Sequence, residues 1–109
     1  MKPVAFIGSS LDEVRAFPGS ARREVGYQID RLQRGLDPSD WKPMSVIGPG
    51  VREIRVRDAF GAFRVIYVAT LADAIYVLHA FQKRTRATAK RDIDLATTRF
   101  NELLRRGRR

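Results

Sequence analysis

Between residues 51 and 84 the chain runs VREIRVRDAFGAFRVIYVATLADAIYVLHAFQKR, and apolar and polar positions alternate through much of it. In residues 51–57, Ile54 and Val56 point one way and Glu53, Arg55 and Arg57 the other. In residues 62–69, Phe63, Val65 and Tyr67 share one side, and Arg64, Ile66 and Val68 the other. Residues 74–81 are almost wholly apolar, with His79 set among them. Period-two alternation rich in Val, Ile, Phe and Tyr predicts strands. Turn residues at Asp58–Gly61 and Thr70–Asp73 divide the stretch into an antiparallel meander of three. The expected register sets Ala59 opposite Ala62 and Ala69 opposite Ala74. Arg57 then faces Arg64, His79 falls opposite Arg64, and Tyr76 and Leu78 join the apolar layer of Ile54, Val56, Val65 and Tyr67. A shift by one residue would bury Arg64 in that layer at high cost. One face thus carries Arg55, Arg57, Arg64 and His79, with Lys83 and Arg84 just past the last strand. Like charges side by side repel, so such a face predicts an anionic ligand.

Upstream, residues 3–7 (PVAFI) predict a first or edge strand. Ser10 and Glu13 form a capping box ahead of a short helix with Leu11, Val14 and Phe17 inward, ended by Pro18 and Gly19. Ala21, Val25, Ile29 and Leu32 recur at helical spacing over about residues 20–34, with Gly35 suited to C′. Arg22, Arg23, Arg31 and Arg34 lie off that stripe, as solvated surface. Residues 36–50, with three prolines and two glycines, predict a loop in which Trp41 plugs the core edge and Lys42 reaches toward a phosphate. After the basic turn containing Arg86, Thr88 is the expected N-cap of a last helix over about 89–105. Ile93, Ala96, Phe100 and Leu103 face inward there. The order β-α-α-β-β-β-α predicts one α+β domain over residues 1–109, with helices on one face of an antiparallel sheet.

Charge adds a partner class. Lys and Arg total 21 against 12 acids, a net +9. Residues 83–109 hold ten basic and three acidic residues, or +7, leaving +2 for residues 1–82. That asymmetry points to a polyanion, nucleic acid ahead of an anionic membrane; the alternative is a merely basic surface. There is no cysteine and one histidine, which argues against a disulfide framework or a His/Cys metal site. No stretch approaches the roughly 20 apolar residues of a membrane span, and residues 1–20 lack a signal-peptide layout. A cytoplasmic location is expected.

The sequence has no Gly-rich phosphate loop and no acidic cluster for Mg²⁺. Asp92 and Asp94 stand beside Lys and Arg on what reads as an exposed helix. What remains is a cationic face with one imidazole, and neither a metal nor a cofactor is expected. Arg and Lys can hold a phosphodiester and stabilise the charge of its transition state. RNA supplies its own nucleophile, the 2′-hydroxyl. His79 suits the proton transfer; a core histidine bonded to a backbone carbonyl stays open as the alternative.

The segments V-R-E-I-R-V-R-D, A-F-R-V-I-Y, V-L-H-A-F-Q-K-R-T and A-K-R-D-I-D-L-A, in that order, resemble the HigB-like, phage-derived branch of the RelE/ParE toxin superfamily. The early helical hairpin ending R-L-Q-R-G is similar too. The resemblance implies the RelE-like α+β fold and metal-independent cleavage of mRNA, usually on the ribosome. It also implies arrest of growth, relieved by a helix-turn-helix antitoxin of HigA type, which alone would contact operator DNA. Matched to the family pattern, the catalytic set is Arg64, His79, Lys83 and Arg84. Arg55 and Arg57 match the family's basic strand positions; with Lys42, Arg86 and Lys90, which are not part of that match, they are the expected phosphate contacts, and Phe81 belongs to the same matched segment as His79. Relatives carry a Tyr or His-Tyr pair near the C-terminus; this chain ends in arginines, so His79 stands in as general base.

Two other functions share these features. A ParE-like inhibitor of DNA gyrase uses the same fold without cutting RNA, and does not need Arg64, Lys83 and Arg84 to converge. A non-catalytic RNA-binding module would present exposed aromatics, whereas Phe63 and Tyr67 fall on the apolar side.

Overall fold

The structure, a computed structural model, describes residues 1–107. Arg108 and Arg109 of the predicted basic tail RRGRR lie outside the described residues. The elements are β1 (Val4–Phe6), α1 (Ser10–Arg15), α2 (Gly19–Gln33), β2 (Trp41–Pro43), β3 (Val51–Asp58), β4 (Gly61–Val68), β5 (Ile75–Lys83) and α3 (Lys90–Arg106). They form the expected small α+β fold around one five-stranded sheet of order β1-β5-β4-β3-β2. The three predicted strands are its antiparallel centre. β1 closes one edge parallel to β5, so the sheet is mixed. β2, inside the predicted loop, closes the other edge.

Helices cover both faces rather than one. On the first face, Val14, Phe17, Ala21, Val25, Ile29 and Leu32 of the α1–α2 hairpin pack on Ile54, Val56, Phe63, Val65 and Tyr67. On the second, Ala96, Phe100 and Leu103 of α3, with Met44 and Ile47, cover Val51, Ile66, Val68 and Leu78. The cause is the alternation itself. Ile66 and Val68 point away from the first core and need cover of their own. Gly48 allows that cover to close, because a Cβ there would sit 2.2 Å from the Phe100 ring.

Both predicted registers shift. The first hairpin closes with Asp58 opposite Gly61, so Arg55 rather than Arg57 faces Arg64. The Asp58 carboxylate accepts from the Phe60 N–H at 2.7 Å, an Asx turn that centres the loop on Ala59 and Phe60. Gly61 leaves the turn with φ +131°, open to glycine alone. The shift is two residues in pair sum, so each side chain keeps its predicted face. In the second hairpin, Val68 pairs with Tyr76 and Tyr67 with Val77, then a bulge intervenes before Ile66 pairs with His79. Leu78 is the extra residue. Ile75, Val77 and Ala80 join the first core, while Tyr76 and Leu78 go to the second, against expectation. His79 is opposite Ile66, and Phe81 takes the place expected for it opposite Arg64.

Two predicted caps also move. Ser10 is buried and donates to the Val77 carbonyl at 3.1 Å; Ser9 is the N-cap residue of α1, its hydroxyl 3.2 Å from Glu13. Ala89 precedes α3 as N-cap, and Thr88 turns inward instead. Gly35, at φ +81°, follows α2 as its spacing predicts. Trp41 is half-buried at the β2 edge, with the Arg52 guanidinium 3.9 Å over its ring.

Candidate phosphate-binding face

α3 covers only part of the second face. Cross-strand register orders the rest into rows. Lys42, Glu53, Ile66 and His79 form one, Arg55, Arg64 and Phe81 the next, and Arg57, Ala62 and Lys83 the last. Directly opposite side chains stand about 5 Å apart. The middle and last rows therefore gather Arg55, Arg57, Arg64 and Lys83, with Lys42 one row behind. Between Arg57 and Lys83 the sheet presents only the methyl group of Ala62.

The floor of this face is an ion pair. Glu53 is 0% exposed and Arg64 3%. Arg64 Nε lies 3.4 Å from Glu53 Oε1, a charge contact without hydrogen-bond geometry. Thr88 donates its hydroxyl to Glu53 Oε2 at 3.0 Å, and Lys42 Nζ is 3.9 Å from Oε1. Arg64 Nη1 donates to the Phe63 carbonyl at 3.0 Å. Burial lowers the Arg64 pKa; Glu53 opposes that shift, and Arg55 and Arg57 add to it. A cavity of about 30 Å³ opens beside it, lined by Asp40, Arg55, Val56, Arg57 and Arg64. Lys83 is also held below the ordinary lysine value, first by burial and then by the charges of Arg64 and Lys42. A cluster whose members repel one another this way is stabilised by an incoming anion.

His79 is 5% exposed and engaged within the protein. Its Nδ1 is 2.9 Å from Glu13 and its Nε2 2.7 Å from Asp92. Arg99 donates to Glu13 at 3.0 Å and to the Leu78 carbonyl at 2.9 Å. With a carboxylate at each nitrogen, the ring has no free site to take a proton from a substrate. Asp92, expected on an exposed helix face, is half-buried by this contact. Nor do the remaining predicted contacts gather at the floor. Arg84 donates to Gln82 at 2.9 Å, Arg86 is exposed in the turn after β5, and Lys90 pairs with Asp94 at 2.6 Å.

Glu53 was missed as the anchor of Arg64. Its signal was present: a carboxylate on the same side of the strand as Arg55 and Arg57. Arg99 was missed because it flanks Phe100 on a stripe read as apolar.

Fold and face together define a class, a small α+β protein that opens part of one sheet face as a cluster of cations over a buried carboxylate. The chain belongs to the family of phage derived protein Gp49-like (DUF891), whose match spans residues 12–101 and so contains every residue of this face. That family is associated with toxins of toxin–antitoxin systems, RelE- and HigB-like. No curated protein matches the sequence. Among the described residues no helix is long and apolar enough to cross a membrane.

Proposed function

We propose that this chain is the toxin of a type II toxin–antitoxin pair, of the HigB-like branch, and that it cleaves mRNA on the ribosome at the rows of Arg55, Arg64, Arg57 and Lys83. Its antagonist is a helix-turn-helix antitoxin. The observation that carries this reading is the fixing of Arg64. A buried carboxylate beneath it and a backbone carbonyl beside it hold the guanidinium among other cations, set in advance for a phosphate.

The chemistry follows from what the rows offer. Arg64 and Arg55 bind the non-bridging oxygens of a phosphodiester. The 2′-hydroxyl attacks the adjacent phosphorus, and the bond to the 5′-oxygen breaks, leaving a 2′,3′-cyclic phosphate and a 5′-oxygen that takes its proton from water. With both His79 nitrogens engaged, Lys83 accepts the 2′-hydroxyl proton in its neutral form, which its lowered pKa makes more accessible. Cleavage then rises with pH until Lys83 is deprotonated. Arg cannot take this role because it does not deprotonate. Lys83→Arg therefore keeps phosphate binding and loses at least about a hundredfold in cleavage rate. An Arg variant that cuts at the normal rate with an unchanged pH profile would leave Lys83 only an electrostatic part.

Primer extension on cellular mRNA after inducing the chain alone tests the activity. Discrete cuts are expected. Intact mRNA with blocked supercoiling would instead indicate gyrase inhibition.

A further inference from the structure

Phe81 stands in the middle row of the cationic face. It lies directly across from Arg64, and Lys83 follows it two positions on, on the same side of β5. One face of its ring stacks on the His79 imidazole, with centroids 5.0 Å apart and planes 20° apart. That imidazole is itself held at both nitrogens by Glu13 and Asp92. Charged partners thus fix the backing of the ring from α1 on one side and α3 on the other. His79, Phe81 and Lys83 follow one another at alternate positions on the same side of β5, so the ring stands between the enclosed imidazole and the Lys83 ammonium. Phe81 borders the core under α3 yet stays half-buried.

We infer that Phe81 is a nucleobase platform, on which the base attached to the phosphate held by Arg64 and Lys83 stacks. The inference rests on the RNA-cleaving reading above and extends it from the phosphate to the base. Single-stranded RNA is bound by this pairing of backbone cations with an aromatic face. Here the two are cross-strand and next-row neighbours, within the span of one nucleotide. Every base has a face to offer, so stacking tolerates all four, but its strength grows with ring area. The platform therefore favours a purine at one position beside the cut. It also gives His79 a purpose that its enclosure leaves open, that of positioning the ring rather than moving a proton.

The test maps cut ends across cellular mRNA after induction of the wild-type chain, Phe81→Leu, Phe81→Trp and Lys83→Ala, with thermal melting of each purified variant. Leu keeps an apolar side chain against the α3 core, so the fold is retained. The wild type is expected to show a purine bias at one position flanking its cuts. Phe81→Leu flattens that bias and cuts about tenfold less often. Phe81→Trp keeps or sharpens it, and Lys83→Ala lowers cutting at all sites with the bias unchanged. A Leu variant that cuts with wild-type frequency and bias overturns the platform alone. A wild type that cuts nothing overturns the nuclease reading, and the platform with it. Should Leu melt early, the Trp variant decides: a platform keeps its bias, while a ring serving only the core loses fold and cutting together.

Discussion

Arg64 does two jobs, and they separate by mutation. It lines the small cavity beside Arg55 and Arg57, and it neutralises Glu53, which is 0% exposed. Arg64→Ala leaves that carboxylate buried with Thr88 and a distant Lys42, and breaking a buried pair costs about 3–5 kcal/mol. We expect a fall of that size in unfolding free energy by urea titration. Lys83→Ala removes no buried partner and should stay within about 0.5 kcal/mol of wild type. Lost activity in the Lys83 variant therefore reports on chemistry, while in the Arg64 variant it mixes chemistry with folding. An Arg64→Ala chain as stable as the wild type would mean that Glu53 finds compensation elsewhere. The cationic side of this site was legible because alternation fixes faces: Arg55, Arg57 and Arg64 share one in the sequence and in the structure. The anchoring role of Glu53 was not, since alternation says which way a side chain points but not what closes over it. Thr88 comes from the turn before α3 and Lys42 from β2.

Between elements, the least legible feature was the bulge at Leu78. One inserted residue moves Tyr76 and Leu78 from one core to the other while keeping His79 on the cationic face. Nothing local in a run of apolar residues marks it. The consequence is a contact among α1, β5 and α3, in which Glu13 accepts from Arg99 and the Ala80 N–H and meets His79. Burial pushes the Glu13 carboxyl up, but hydrogen bonds from Arg99, Ala80 and His79 outweigh it and hold the pKa below its ordinary value of 4.5. A lowered folded-state pKa means that the unfolded chain binds the proton more readily. The stability Glu13 contributes is complete above the unfolded value and is lost as pH falls through the folded one. Urea midpoints measured from pH 7 down to pH 3 should therefore fall in the acid range, and Glu13→Gln should flatten that fall. Parallel curves for the two proteins would place the acid sensitivity elsewhere.

Across the whole molecule the charge is +9, and the fold decides how much of it one ligand can meet. Arg84 and Lys90 are turned to Gln82 and Asp94, whereas Lys42, Arg55, Arg57, Arg64 and Lys83 share one face by register. Binding to a single strand loses affinity with salt at a slope of about −0.7 per phosphate neutralised, so five contacts predict about −3.5 in log K against log salt. Lys83→Ala should make that slope shallower by about 0.7, because one phosphate contact is gone. Phe81→Leu should weaken binding at every salt concentration and leave the slope alone, since stacking releases no counterion. Fluorescence anisotropy with a labelled single-stranded RNA, titrated at several salt concentrations, reads both quantities at once. If the Lys83 variant kept the full slope, the phosphate path would run along other cations, and the rows assembled by the sheet would not be where the strand lies.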